Sequence, residues 1–236
     1  MRTAIAILAA LLPAVCVHSA SASVSVTWLG HSEFLIKPST GPVVVTDPFD
    51  ARVGSYPLRH PTADVVTVSH EHFDHNAVGE VRGRFQVIRG VGSHVVHGVD
   101  LKGVATFHDQ VSGRQRGPNT VFVFRLDGIT FCHLGDLGHL LSPQQLKAIG
   151  PVDVLMIPVG GTFTIDAKMA DEVVHQLKPK VVLPMHYKTR YTAASLPLAG
   201  LQPFIEGKSN VRTEKGDTIT LTPASLPKTT TIIVLQ

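Results

Sequence analysis

Short apolar runs alternate with glycine- and proline-containing breaks along this chain, and most runs are too short for helices. Val24, Val26 and Trp28 alternate with Ser25 and Thr27, the two-residue period of a half-buried strand, and Gly30 turns the chain into a second run at 34–37. Residues 43–46 and 65–69 are apolar, β-branched stretches, the pattern of strands covered on both faces. Residues 85–88 and 103–107 read as further strands, and Asp127-Gly128 is a hairpin turn joining 121–126 to 129–134. Ser142-Pro143-Gln144-Gln145 supplies an N-cap, a proline at the first helical position and a glutamine at the third, predicting a helix that ends at Gly150. Residues 152–157 follow as a strand, Asp166 caps a helix running to about Leu177, and 181–183 form another strand. A short helix near 198–205 and a strand near 217–222 complete the pattern. Mixed short strands with few helices predict an α/β (α+β) domain, two sheets face to face with helices outside. No linker or repeat divides residues 23–236, which read as one domain.

The first 22 residues break this pattern. Arg2 precedes an apolar run over 5–17, and Ala20-Ser21-Ala22 has the small-x-small form of a cleavage site. Residues 1–22 therefore read as a secretory signal peptide cleaved after Ala22, giving an exported protein, periplasmic or secreted, without a stable membrane anchor. The run is short for a span of roughly 20 residues. Loss of the leader leaves Cys132 as the single thiol, so the mature chain makes no internal disulfide. A formal charge of +3, from 21 basic and 18 acidic residues, gives no support to nucleic-acid binding.

The candidate chemistry sits where the strand at 65–69 ends. His70, His72, Asp74 and His75 fall within six positions, and imidazole with carboxylate suits zinc or a neighbouring first-row metal. His70 and His72, two apart in an extended or turning segment, point to one side. Asp74 and His75, placed in the first turn of a following helix, point to a second position. That spacing favours two metal ions. Further ligands are available at other strand ends, namely His108, Asp136 and His186. The full set makes one site of His70, His72 and His108, another of Asp74, His75 and His186, and a bridge of Asp136, with ions roughly 3.5–4 Å apart sharing a water. His94, His97 and His133 compete with His108 for the third imidazole. Cys132 fits an apolar strand and reads as core. Arg114, Arg116, Lys188 and Arg190 are available to attract an anionic substrate.

The motif His70-x-His72-x-Asp74-His75, with Asp136 in Gly-Asp and His186 beyond, resembles the metallo-β-lactamase fold superfamily of binuclear metallohydrolases. Trp28-Leu29-Gly30-His31, Asp47-Pro48-Phe49, Gly160-Gly161-Thr162-Phe163-Thr164 and Pro184-Met185-His186-Tyr187 are similar to a branch that includes ascorbate-phosphate lactonases and many metal-dependent hydrolases. The resemblance implies a four-layer αββα sandwich with the metal pair at one edge. It also implies that Asp47 orients a ligand histidine through the free ring nitrogen, as such ligands require. His31 stands as a pocket-lining residue, a residue hydrogen-bonded behind the ligands, or a satisfied turn histidine. Three departures from other members narrow the reading. An aspartate at the Gly-Asp position is foreign to the true β-lactamases, the nucleic-acid-processing branch carries a large extra domain, and the iron oxidoreductases have glutamate where this chain has His72.

These residues predict a metal-dependent hydrolase with two divalent ions, zinc foremost, with manganese and iron as alternatives. A metal-bridging hydroxide would cleave a small ester-like substrate, a lactone or phosphodiester, with Asp136 and Asp74 as the catalytic carboxylates. The alternatives are a thioesterase or β-lactamase-like hydrolase, or an exported metal-binding protein without turnover.

Overall fold

The computed structural model describes residues 22–236, so the leader assigned to 1–22 lies, apart from Ala22, outside the described residues. In chain order the strands are β1 (Val24–Gly30), β2 (Glu33–Pro38), β3 (Val44–Thr46), β4 (Val65–Val68), β5 (Gln86–Arg89), β6 (Gly92–Val96) and β7 (Val99–Phe107). They continue with β8 (Pro118–Leu126), β9 (Ile129–His133), β10 (Val154–Pro158), β11 (Val181–Met185), β12 (Val211–Thr213), β13 (Thr218–Leu221) and β14 (Thr231–Val234). The α-helices are α1 (Pro143–Ile149), α2 (Ala167–Leu177) and the single turn α3 (Gln202–Ile205). One sheet has the order β13-β1-β2-β3-β4-β5 and the other β12-β14-β11-β10-β9-β8-β7-β6.

Strand direction explains where the site forms. β3, β4 and β5 are mutually parallel, and β1, antiparallel to β2, runs with them. In the other sheet β9, β10 and β11 are parallel, and β7 shares their sense because two antiparallel pairings separate it from β9. Chain segments leaving β1, β3 and β4 therefore emerge at one edge of their sheet, and those leaving β7, β9 and β11 at one edge of theirs. These are the exits that carry His31, Asp47, His70–His75, His108, Asp136 and His186.

One core, which includes Val26, Phe34 and Ile36 from the first sheet and Phe122, Ile129 and Phe131 from the second, joins the two. Each such side chain, removed from water, contributes about 1.5–3 kcal/mol before entropy is counted. Ala170 and Val173 of α2 are buried in this core, and α1 lies against β7, so helices cover the second sheet. The outer face of the first sheet, carrying Val45, Val66 and Val68, is closed by Ala63, Val81 and a 3-10 turn at Val78–Glu80. The fold is the four-layer αββα sandwich with this outermost layer reduced to loop.

The caps form as the sequence requires. Ser142 and Gln145 make a reciprocal capping box on α1, and Asp166 accepts from Met169 N–H at the start of α2. Three local expectations change. Asp74 and His75 lie in a turn in which His75 N–H donates to His72 O at 3.0 Å, and no helix begins there. β6 and β7 form a hairpin around His97 and Gly98, both at positive φ, as a two-residue loop of this kind demands. β14 pairs in parallel with β11 and β12, remote in sequence, so no hairpin signal marks it. Among the described residues no helix is long and apolar enough to cross a membrane.

Candidate metal centre

Three site residues leave their strands through a left-handed backbone: His31 at φ 46°, Asp47 at φ 38° and His186 at φ 51°. Such conformations are strained for residues with a Cβ and persist where surrounding bonds impose them. Asp47 N–H donates to Thr67 O at 2.9 Å, and His186 N–H to His31 O at 3.0 Å, so each exit is tied to a neighbouring one. Gly135, at φ 54°, has a different constraint: a Cβ there would lie 2.5 Å from Ser69 Cβ and 2.4 Å from Asn119 Oδ1. Only glycine lets the chain deliver Asp136 at this point.

Two groups of potential ligands result, His70 with His72 and His108, and His31 with Asp74, His75 and His186. Asp136 lies between them. Its Oδ2 is 3.0 Å from His108 Nε2, 3.3 Å from His186 Nε2 and 3.8 Å from His70 Nε2, while its Oδ1 is 3.2 Å from His75 Nε2. Asp74 Oδ2 is 3.6 Å from His75 Nε2 and 3.9 Å from His186 Nε2. All are buried except His72, which is exposed.

Hydrogen bonds behind the ring set which nitrogens face inward. His75 Nδ1 lies 2.8 Å from Asp47 Oδ2, and an ionised carboxylate only accepts, so Nδ1 carries a proton and Nε2 is the nitrogen that faces Asp136. Asp47 also accepts from Ser69 N–H at 2.8 Å and from the Ser69 hydroxyl. That hydroxyl, its proton committed, must accept from His70 Nδ1 at 2.9 Å, which frees His70 Nε2 as well. His31 Nε2 donates to Asp74 Oδ2 at 3.0 Å.

The electrostatics agree with neutral imidazoles around ionised acids. Burial, with His186 nearby, lowers His31 to about 4, and burial with His75 lowers His70 to about 3. Burial opposes ionisation of Asp136, but His186, His75 and His108 outweigh it and hold the carboxyl well below its usual range. Asp74 is likewise held low against burial by His75 and His31. His75 and His108 are the exceptions: although burial lowers each, Asp136 and Asp74 raise His75 well above the ordinary histidine value, and Asp136 raises His108. Divalent ions fit this donor set. His75 Nε2 and Asp136 Oδ1 are both buried, 3.2 Å apart and without a hydrogen bond, as expected of atoms aimed at a shared cation.

A family model described as a beta-lactamase superfamily domain matches residues 25–186. A UPF0173 metal-dependent hydrolase of Pelotomaculum thermopropionicum is 32% identical over 195 residues, covering 70% of this chain and 84% of the relative. The chain belongs to the metallo-β-lactamase superfamily, among its metal-dependent hydrolases. A similar relative in Pyrococcus abyssi is 30% identical over 195 residues, 70% of this chain and 85% of its own. A solved structure described as a Zn-dependent hydrolase of the metallo-beta-lactamase superfamily from Thermotoga maritima superposes with TM-score 0.74 at 42% identity, covering 90% of this chain and 98% of that one.

The other candidate histidines of this superfamily member lie elsewhere. His133 Nε2 donates to Ser32 O at 2.9 Å while Nδ1 accepts from Gly135 N–H, so both nitrogens are used behind the ligand ring. His94 lies on β6, His97 in its hairpin turn, and His139 Nε2 accepts from Phe107 N–H at 3.1 Å. Cys132 is fully buried in the core. Sequence reasoning passed over Ser69 and Asn119. Asn119 binds Leu134 O and Asp136 N–H, clamping the turn that carries Asp136. Neither has a pattern of its own, because a serine or asparagine at a strand end is common whatever it bonds. A cavity of about 280 Å³ opens over the ligands, with Phe73, Phe163, Leu196 and Arg116 in its walls.

Proposed function

We propose that this protein is a binuclear metal-dependent hydrolase acting on a small ester-like substrate, a lactone or a phosphodiester. One observation carries the two-ion reading: a single carboxylate, Asp136, stands within 3.0–3.8 Å of Nε2 atoms from both ligand groups. His70, His72 and His108 would hold one ion, Asp74, His75 and His186 the other, with Asp136 shared. Bound divalent ions, zinc foremost, supply Lewis acidity and a water of lowered pKa.

The chain's own groups do the rest. Asp47, directly and through Ser69, keeps His75 and His70 in the tautomer that leaves Nε2 free. Asp74, at the cavity wall, is placed to take the proton of the attacking water and return it to the leaving oxygen. For a lactone, water oxygen bonds to the acyl carbon, the acyl–oxygen bond breaks, and a hydroxy acid leaves. No serine, threonine, cysteine or lysine lines this cavity, which supports water as the nucleophile. The cavity's small size supports a small molecule over a polymer. The leader-like sequence over 1–22 supports export of the mature domain, 23–236.

The test is metal analysis beside a panel of lactones, phosphodiesters and thioesters, run on the isolated, chelated and reloaded protein. The expected result is two equivalents of metal and chelator-sensitive cleavage of a lactone or phosphodiester. Two bound ions with no turnover would make it a metal-binding protein, and preference for thioesters would move it to the thioesterase reading.

A further inference from the structure

The cavity wall holds one cation whose role the reaction above leaves open. Arg116 is half-buried beside His72, His108 and Asp136, and among the described residues no carboxylate pairs with it. Arg52, which stacks near Phe73, differs in this respect, because Asp50 takes its guanidinium through both oxygens. The contacts of Arg116 are weaker: Nη2 donates to Thr162 O at 3.3 Å, and its guanidinium carbon sits 5.5 Å from the Phe163 ring centroid. A guanidinium offers five N–H donors, so most remain available on the cavity side.

Its position is built. Asp109, next to His108, accepts main-chain N–H bonds from Val111 and Gly113 at 2.8 Å, Gln115 at 2.9 Å and Arg116 itself at 2.8 Å. The loop is thereby tied to the residue beside a ligand histidine, and Arg116 is carried at a fixed place relative to the centre. From the opposite side the Gly160–Thr164 loop supplies both the carbonyl and the ring that hold the guanidinium. Gly160 lies so close to β11's exit that a Cβ would meet His186 O at 2.2 Å.

Resting on the hydrolase reading, we infer that Arg116 is a specificity-determining residue that binds an anionic group, carboxylate or phosphate, placed on the substrate away from the bond that is cut. Phe73, Phe163 and Leu196 line the same cavity and would take the apolar body of such a molecule. Arg114, Lys188 and Arg190 are exposed and do not line the cavity, so the selectivity belongs to one side chain.

A matched pair tests this in the metal-loaded enzyme: a dihydrocoumarin lactone carrying a ring carboxylate, and the same lactone carrying a carboxamide. With Arg116→Gln, kcat/KM for the carboxylate should fall roughly 10- to 100-fold, the range of a charge-assisted hydrogen bond, mostly through KM. The carboxamide should change less than about twofold, and Arg116→Lys should restore part of the loss, since lysine keeps the charge without the planar fork. Equal losses for both lactones, or none for the carboxylate, would overturn the assignment. Calorimetric titration with the two corresponding lactams separates the two claims. If wild type cleaves neither these lactones nor any member of the panel above, the hydrolase reading fails, while carboxylate-selective lactam binding that disappears in Arg116→Gln still supports Arg116, and its absence refutes it.

Discussion

The two ligand groups meet at Asp136 but are built differently. His70, His72 and His108 bring imidazoles and no carboxylate of their own, and His72 is exposed. The other group brings Asp74 with His75 and His186, all buried, and two of its contacts are to full charges: Asp47 behind His75, and Asp74 itself against His31. On the first side the corresponding contact is the Ser69 hydroxyl on His70, while His72 Nδ1 meets His70 Nε2 at 3.1 Å. One side therefore carries its own carboxylate, and the other carries imidazoles alone and reaches solvent through His72. A divalent ion on the anionic side is better neutralised, so with two ions bound the exposed side should release its ion first under chelation.

The strongest way to break this picture is Asp136→Asn, because that side chain belongs to both sides. Turnover should drop by about 10³-fold and metal content below two equivalents, beyond the 10- to 100-fold expected when only an orienting partner is lost. Full activity with two bound ions would rule out the bridging role proposed for Asp136. Asp47→Asn comes next. It disturbs His75 directly and His70 through Ser69, and should weaken metal binding roughly 10- to 100-fold on both sides. Ser69→Ala sharpens the comparison, since the hydroxyl meets His70 directly and His75 only by way of Asp47, which keeps its bond from Ser69 N–H, so the exposed ion should be the first lost. Stoichiometry followed during graded chelation checks both, and identical release profiles in the two variants would show that the sides are not independent.

Much of this was legible in the sequence, and for an identifiable reason. Strands that end in His70, Asp136 and His186 are apolar runs broken sharply by polar residues, a signal that survives without knowledge of pairing. The caps of α1 and α2 are local, and local chemistry sets them. His108 was harder to separate from His94, His97 and His133, because the choice depends on which strands run in the same direction. At Asp74 and His75 the expected helix does not form, because His75 N–H bonds His72 O while Ala77 N–H goes to Pro48 O, a partner remote in sequence. Arg116 stands in the sequence beside Arg114, Lys188 and Arg190 with nothing to separate it from them; its place comes from Asp109 gathering four N–H groups across a loop.

The smallest effect expected at the centre, and a separate one on stability, comes from a second comparison, between two neighbouring buried carboxyls. Asp47 is fully buried yet held below its ordinary value, because His133 and His75 outweigh burial. Glu33, at the start of β2, is also buried, and its Oε1 has no hydrogen-bond partner. Burial, which the Phe49 N–H only partly offsets, pushes it from 4.5 up to about 8. In the folded chain this carboxyl keeps its proton up to about pH 8, whereas the unfolded chain releases it near 4.5. The folded state then binds more protons across that window, so this group lowers stability as pH rises, by on the order of a few kcal/mol in all, and no further above the folded value. Glu33→Gln removes the ionisation and leaves hydrolysis unchanged. Denaturant unfolding of both proteins from pH 5 to 9 should show the variant gaining on wild type until about pH 8 and then holding a constant lead. Parallel pH profiles would mean that Glu33 finds a partner or water that keeps it ionised, and that its burial differs little from that of Asp47.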